Sequence, residues 1–189
     1  MYLYLIQHGE AKSESEDPNR SLTERGRTET LRVANKARKL GVNPYKILHS
    51  EKLRARQTAE IMAEVLKSGQ TQAAPGLAPN DDVYPWAGHI SKENQDVMIV
   101  GHLPFMDRLV SLLVCGNENA GVILFRYSAI ICLEQKQGSK GVCQVCQSVN
   151  NLSRCQALNF ELIYSTTSES CLFPAISFFI LSDALLTAL

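Results

Sequence analysis

The chain has 189 residues, 45% of them hydrophobic, and its 19 lysines and arginines balance 19 aspartates and glutamates. This length and apolar content allow one well-packed domain, and the balanced charge gives no electrostatic basis for binding nucleic acid or an anionic membrane. The N-terminus lacks a basic region followed by an apolar core and a cleavage site. Its six cysteines do not form a compact disulfide scaffold, so we expect a cytoplasmic protein.

The first predicted element is a buried strand at positions 3–6, where four apolar residues lead into Gln7, His8 and Gly9. A run of bulky apolar residues this short favours a strand over a helix. Gly9 allows a sharp backbone turn, which would place His8 at the carboxyl end of the strand, where ligands bind in open α/β sheets. Taken alone, the pattern is more typical of a structural histidine, so its meaning depends on a second copy further along the chain.

A polar loop and a helix follow this strand. Residues 11–20 are polar or charged and predict a loop beside the site, either solvated or in contact with substrate. A helix is predicted to begin near Thr23, which can cap it, and to end at about Leu40, before Gly41. Its apolar positions fall on one face: Leu31, Ala34, Ala37 and Leu40.

The middle of the chain predicts a short strand over residues 45–49 and a helix over about 52–67. The positions of this helix that we expect to be buried are Leu53, Ile61, Val65 and Leu66. Residues 74–90 contain three prolines, and Asp81 and Asp82 could cap a short helix there.

The second copy of the first pattern lies at residues 96–101, an apolar strand that leads into His102. Pro104 suits the first turn of a following helix, which is predicted to end at Cys115. Two further strand-like runs cover 121–126 and 129–134. Alternating strands and helices predict a three-layer α/β/α domain with a largely parallel central sheet.

Residues 135–189 differ from the rest, so we divide the chain into a domain at 1–134 and a C-terminal segment packed on that domain. Cys143 and Cys146 have the spacing of zinc ligands, but no second close pair accompanies them, which favours ordinary thiols. Residues 172–189 are apolar yet short for a membrane span. They predict a packed helix or a partner-binding segment.

Three predicted strand ends converge on one edge of the sheet. They present His8, His102 and a region that contains Ser50 and Arg54. Two imidazoles and a guanidinium at one place form an oxyanion site, and phosphate is the obvious ligand.

Four segments of the chain together resemble the histidine phosphatase superfamily, which has the phosphoglycerate mutase-like fold. They are residues 7–10, 21–26, 53–59 and 100–104, in the order and at the spacing of that family. The short stretch between Arg54 and His102 is similar to that of the small SixA-type phosphohistidine phosphatases.

The resemblance implies a role for each matching residue. His8 would attack phosphorus and become phosphohistidine, which water hydrolyses. Arg54 would bind the non-bridging oxygens, and a protonated His102 would stabilise charge on the transferring group. This route implies no metal and no cofactor. The substrate-binding residues implied with them are Gln7, Gly9, Arg20, Ser50 and Leu103.

Gln7 departs from the family pattern, which has arginine immediately before the nucleophile. An amide can donate to a phosphate oxygen, but without formal charge, and charge-assisted hydrogen bonds are about twice as strong as neutral ones. Either the enzyme tolerates the loss, with Arg20 or Arg25 compensating, or the protein is a non-catalytic phosphate-binding module. Retention of His8, Arg54 and His102 favours an enzyme.

The general acid has no motif of its own, and the available carboxylates are Glu10, Asp81 and Asp82. An imidazole leaving group protonates readily near neutral pH and needs less acid catalysis than an alkoxide. We therefore expect a phosphohistidine substrate on a signalling or phosphotransfer protein, such as a histidine phosphotransfer domain. A phosphomonoesterase for a small metabolite is the alternative enzyme. We expect the protein to be a monomer.

Overall fold

The computed structural model describes residues 1–68 and 71–135 and, as backbone only, residues 180–181. The predicted zinc-like cysteine pair and the side chains of the apolar segment 172–189 lie outside the described residues. The division of the chain at residue 134 stays a prediction. Within the described residues, no helix is both long and apolar enough to cross a membrane.

The structure is a six-stranded sheet with helices on both faces, which confirms the predicted α/β/α class. The strands are β1 (Tyr2–Gln7), β2 (Lys46–His49), β3 (Thr71–Ala73), β4 (Val97–Gly101), β5 (Ile130–Glu134) and β6 (Ile180–Leu181). The helices are α1 (Glu24–Lys39), α2 (Leu53–Leu66), α3 (Tyr84–Ile90) and α4 (Phe105–Cys115). The strand order is β3-β2-β4-β1-β5-β6.

The four strands β1 to β4 are parallel, and β5 joins β1 in the antiparallel direction. β1 is buried between β4 and β5, which explains why its sequence is an unbroken apolar run rather than an alternating one. Gln7 lies opposite Gly101, and His49 lies opposite Val100. In this register the parallel strands β1, β2 and β4 end at the same edge of the sheet. His8 follows the last residue of β1, and His102 follows the last residue of β4.

Successive residues of β1 point into two separate cores. Leu3 and Leu5 pack with α3 and α4, whereas Tyr4 and Ile6 pack with α1 and α2. A fully buried leucine or isoleucine stabilises the fold by about 1.5–3 kcal/mol. Both faces of the sheet therefore hold the strand that carries His8.

The predicted limits of α1 are confirmed. The Thr23 side chain accepts a hydrogen bond from the Gly26 N–H at 2.9 Å, and the helix ends at Lys39 with Leu40 as its C-cap. Gly41 follows in the left-handed region, at a φ of 75°, where glycine carries no steric penalty.

The predicted buried face of α1 is partly wrong. Leu31 is 47% exposed, because the helix turns Gly26, Thr30 and Val33 toward the sheet instead. Gly26 and Thr30 lie against Glu10 and Gly9 in the segment after β1, and Val33 packs in the core with Ile6. A pattern of apolar residues alone gave no sign of that contact.

In α2 the predicted apolar face is also shifted. Leu66 is buried, but Leu53, Ile61 and Val65 are only half-buried. The other buried positions of α2 are Arg54, Ala55, Thr58, Ala59 and Met62, most of them smaller or polar. Two alanines let the helix approach the sheet closely, which moves the larger apolar side chains to the margin of the interface.

The strand predicted at 121–126 is wrong, because these residues pair with no strand among the residues described. Ile123 and Phe125 are nevertheless buried in the core around α4, and Leu124 between them is 63% exposed. The alternation thus reflects packing of an extended segment on a helix. At 74–90, Asp82 accepts a hydrogen bond from the Tyr84 N–H at 3.0 Å, at the start of the short helix α3.

Candidate active site

His8 and His102 meet at the carboxyl edge of the sheet, as the sequence predicts. Their ring centroids are 4.9 Å apart, and both side chains are buried. The His8 N–H donates to the Gly101 carbonyl at 3.1 Å, which continues the β1–β4 ladder past the last strand residue. Strand pairing therefore brings the two imidazoles to within reach of one phosphoryl group.

The hydrogen bonds of His8 determine which of its nitrogens is reactive. Nδ1 lies 2.7 Å from the Gly9 carbonyl oxygen, which can only accept, so Nδ1 carries the proton. Nε2 accepts a hydrogen bond from Arg54 Nε at 3.1 Å and holds the lone pair. The pKa of His8 is lowered to about 4, mainly by burial. The hydrogen bond to the Gly9 carbonyl raises this pKa, and the Arg54 and Arg20 cations lower it. His8 is thus a neutral imidazole at pH 7, and its Nε2 lone pair can attack an electrophile once the Arg54 N–H turns from it to the ligand.

Arg54 is placed by the first turn of α2, where it is 9% exposed. Burial, and then the Arg20 cation, lower the pKa of its guanidinium, although an arginine side chain stays protonated in proteins. One of its five N–H donors binds His8. The planar guanidinium can direct its other donors at phosphoryl oxygens.

His102 lies beneath His8 and is 1% exposed. Its Nε2 is 2.9 Å from Ser50 Oγ, so Ser50 holds the second imidazole. Burial lowers the pKa of His102 to about 3, with further contributions from His8, Arg54, Lys52 and Arg20. His102 is therefore neutral at pH 7 in the ligand-free protein, and the role expected of it belongs to its protonated form. A bound phosphate dianion would favour protonation of His102, because a nearby negative charge stabilises the cationic imidazole.

Gly9 is required for close packing, since its backbone does not adopt the left-handed conformation that favours glycine. A Cβ at Gly9 would lie 2.7 Å from Thr30 Oγ1. The Gly9 N–H donates to Thr58 Oγ1 at 3.0 Å, and its carbonyl accepts from His8. Both backbone groups of Gly9 are thus hydrogen-bonded within the protein, and its carbonyl orients the His8 imidazole. Its contact with substrate stays a prediction.

Gln7 is 8% exposed, and its Oε1 has no hydrogen-bond partner among the described residues. The position where the family pattern has arginine is therefore filled by a buried amide. An amide at this position can donate to a phosphoryl oxygen, but it carries no charge.

Of the two arginines considered as compensation for Gln7, Arg20 fits and Arg25 does not. Arg25 pairs with Glu29 on the surface of α1, with Nε 2.8 Å from Oε1. Arg20 lines the cleft beside Arg54, with its Nε donating to the Lys12 carbonyl at 3.3 Å, and its cation lowers the pKa of His8, Arg54 and His102.

A turn built on Asp17 holds Arg20 in place. The Arg20 backbone has a φ of 52°, an uncommon conformation for a residue with a side chain. Its N–H donates to the Asp17 carbonyl, and the Asp17 carboxylate accepts from the backbone N–H groups of Asn19 and Ser21.

The three candidate acids are all engaged in local structure. Glu10 accepts a hydrogen bond from Thr23 Oγ1 at 2.8 Å, and Asp81 accepts from the Ala78 N–H at 2.7 Å. Asp82 accepts from the Tyr84 N–H. The geometry assigns none of them as a general acid. Leu103 is 38% exposed beside His102.

A polar cleft of about 700 Å³ opens beside Arg54. Its walls carry the cations Arg20, Lys52 and Arg56 together with Glu14 and Glu51. Within residues 1–68 and 71–135, no group of three or more His, Cys, Asp or Glu side chains could hold a metal ion.

Sequence reasoning missed Tyr127, whose ring centroid lies 5.8 Å from that of His8. The only available signal was an aromatic residue in the short polar interval between two apolar runs. Tyr127 is 50% exposed, so part of its ring faces the space in front of the histidines.

Comparisons with known proteins agree with this fold and this site. Residues 3–79 match the family model of the histidine phosphatase superfamily (branch 1). An uncharacterized protein of Picosynechococcus sp. is 32% identical over 143 residues, which cover 68% of this chain and 87% of that protein. Phosphohistidine phosphatase SixA of Escherichia coli (strain K12) is 27% identical over 164 residues, covering 84% of this chain and all of SixA.

A solved structure of the protein histidine phosphatase SixA complexed with tungstate superimposes with a TM-score of 0.64 at 28% identity. The match covers 72% of this chain and 89% of that one. The fold and the paired histidines thus define a phosphatase with a phosphoglycerate mutase-like α/β/α domain. The chain belongs to the histidine phosphatase superfamily, and within it to the SixA type.

Proposed function

We propose that this phosphatase removes the phosphoryl group from phosphohistidine on a protein, through a phosphoenzyme formed at Nε2 of His8. The observation that carries the proposal is the neutral His8 imidazole, whose Nδ1 proton is held by Gly9 and whose Nε2 accepts from Arg54. E. coli SixA, which this chain matches along its whole length, is named for that activity.

In the first step the Nε2 lone pair of His8 attacks phosphorus. The bond from phosphorus to the substrate nitrogen breaks, and the leaving imidazole keeps that electron pair and takes a proton from water. In the second step water attacks the phosphorus on His8, loses a proton, and releases inorganic phosphate with the neutral imidazole. Arg54 and Arg20 hold the negative oxygens, and His102 becomes protonated as the dianion binds.

The open cleft supports a protein substrate. A phosphohistidine side chain on a protein surface needs an approach wide enough for its backbone, and a wide cleft is lined by Arg54, which binds the nucleophile. The mixture of cations and two carboxylates along that cleft suits a surface with charges of both signs, such as that of a histidine phosphotransfer domain.

The test is turnover of a phosphohistidine-bearing protein beside glycerol phosphate, with wild type, His8→Ala and His89→Ala. His89 is an exposed histidine that contacts Trp86, so its replacement controls for loss of an imidazole away from the site. We expect wild type and His89→Ala to act on the phosphoprotein and to form an acid-labile phosphoenzyme, and His8→Ala to do neither. Turnover of glycerol phosphate alone would establish the small-metabolite alternative. Binding of phosphate without turnover of either would establish a non-catalytic module.

A further inference from the structure

Tyr127 is the aromatic side chain nearest the nucleophile that the mechanism does not use. Its ring centroid is 5.8 Å from that of His8, at an interplanar angle of 37°. The ring is 50% exposed, so His8 covers one part of it and the remainder is open to a ligand. A half-covered aromatic ring beside a reactive nitrogen is a surface on which another ring can stack.

A rigid turn holds Tyr127 in this position. The Ala129 N–H donates to the Arg126 carbonyl at 3.1 Å, and the Ser128 N–H donates to the Gln7 carbonyl at 3.0 Å. Ser128 itself is fully buried, with a φ of 60°, and its Oγ lies 2.8 Å from Thr30 Oγ1. The turn is thus tied both to the residue before the nucleophile and to α1. Such anchoring lowers the entropy that a ligand must offset when it contacts the ring.

We propose that Tyr127 is a specificity residue, which stacks on a planar leaving group and so favours imidazole over non-aromatic groups. The inference rests on the proposed function, because the phosphorus must approach Nε2 of His8 and the leaving group is one bond further away. The Tyr127 ring, with its centroid 5.8 Å from that of His8, borders the space that a ring attached to that phosphorus would enter. Aromatic pairs prefer offset or tilted arrangements with centroids about 4.5–7 Å apart.

The phenol group of Tyr127 offers a second possible role, and the test must separate the two. The tyrosine oxygen acts on the pKa of Arg54, which it raises, so the hydroxyl could support the guanidinium instead. Tyr127→Phe keeps the ring and removes the hydroxyl, whereas Tyr127→Leu removes both. Stacking predicts that the phenylalanine variant behaves as wild type in substrate preference.

The experiment measures kcat/KM for two pairs of small phosphoryl donors. Phosphoimidazole and phosphoramidate both carry a phosphorus–nitrogen bond, with and without a ring, and p-nitrophenyl phosphate and glycerol phosphate form the corresponding ester pair. In Tyr127→Leu we expect the preference for the ring-bearing donor to fall about 3- to 10-fold in each pair. Tyr127→Phe should keep at least half of the wild-type preference. Tyr45→Leu, which alters a tyrosine that is 56% exposed just before β2, should keep all of it.

An equal loss in Tyr127→Leu on ring-bearing and ringless donors, or no loss, would overturn the proposal. Loss of the preference in Tyr127→Phe would assign the effect to the hydroxyl and Arg54 and would also overturn it. Failure of the proposed function is a different result, in which wild type turns over neither phosphorus–nitrogen donor. The ester pair then still decides whether Tyr127 stacks on leaving groups.

Discussion

The Gly9 carbonyl oxygen accepts the Nδ1 proton of His8 at 2.7 Å and thereby leaves a lone pair on Nε2, next to Arg54 Nε. The same burial that makes His8 neutral also makes His102 neutral in the ligand-free protein. The cations that act on both imidazoles are Arg54 and Arg20. The site begins with fewer charges than the family pattern implies.

The residue at position 7 determines how strongly the site holds phosphate. Gln7→Arg places a cation beside His8, where we expect it to tighten inhibition by inorganic phosphate or tungstate by about 5- to 100-fold, because charged hydrogen bonds contribute about 1–3 kcal/mol. The measurement is the inhibition constant at pH 7.5, with Gln7→Met as the control of similar length without an amide. Gln7→Met should weaken inhibition slightly. Weaker inhibition in Gln7→Arg would show that repulsion from Arg54 and Arg20 outweighs the added donors.

At the scale of elements, the site depends on the close approach of α1 to the segment that follows β1. A Cβ at Gly26 would lie 2.2 Å from the Glu10 carbonyl oxygen, and one at Gly9 would lie 2.7 Å from Thr30 Oγ1. The two glycines remove the side chains that would keep helix and strand end apart. Thr23 adds a bond from its hydroxyl to the Glu10 carboxylate.

Gly26→Ala tests this contact. We expect it to lower the free energy of unfolding by about 1–3 kcal/mol, as overpacking of a tight interface does, and to reduce kcat because His8 lies just before Glu10. Gly88→Ala is the matched control, since nothing lies within 4 Å of a Cβ at Gly88 in α3. That change should raise stability by about 0.5–1 kcal/mol. The measurements are the free energy of unfolding in urea and kcat for both variants. Equal free energies of unfolding for the two variants would refute the packing argument.

At the scale of the whole molecule, the features predicted correctly from sequence are those set by local chemistry or by a repeated pattern. The Thr23 cap follows from side-chain hydrogen bonding alone, and the convergence of His8 and His102 follows from two strands of the same type. Features set by tertiary contact were not predictable. Residues 121–126 alternate between buried and exposed side chains because they pack on α4. Position 9 requires glycine because Thr30 lies against it. Tyr127 is next to His8 only because a turn brings it there.

The two buried histidines also link the stability of the whole molecule to pH. Their pKa values in the folded protein are lowered to about 4 for His8 and about 3 for His102, below the value of about 6.5 in an unfolded chain. Above pH 6.5 the two histidines are neutral in both the folded and the unfolded protein, so they do not change the free energy of unfolding there. As the pH falls from 6.5 toward 4, the unfolded state binds protons that the folded state does not, and stability decreases. Each histidine should remove about 2 kcal/mol between pH 7 and pH 5.

Urea unfolding at pH 7, 6 and 5 measures this loss. His8→Gln should show a pH-dependent loss smaller by about 2 kcal/mol than wild type, because glutamine does not titrate. His89→Gln, at an exposed position, should lose as much stability as wild type.

Saturating phosphate or tungstate should reduce the loss of stability at low pH, since an anion at the site favours protonation of His102 in the folded state. A wild-type stability that stays constant from pH 7 to 5 would mean that the two imidazoles accept protons in the folded protein as readily as in the unfolded chain. His8 would then be cationic in mildly acid solution, and phosphoenzyme formation would fall below pH 6.5 instead of below about pH 4.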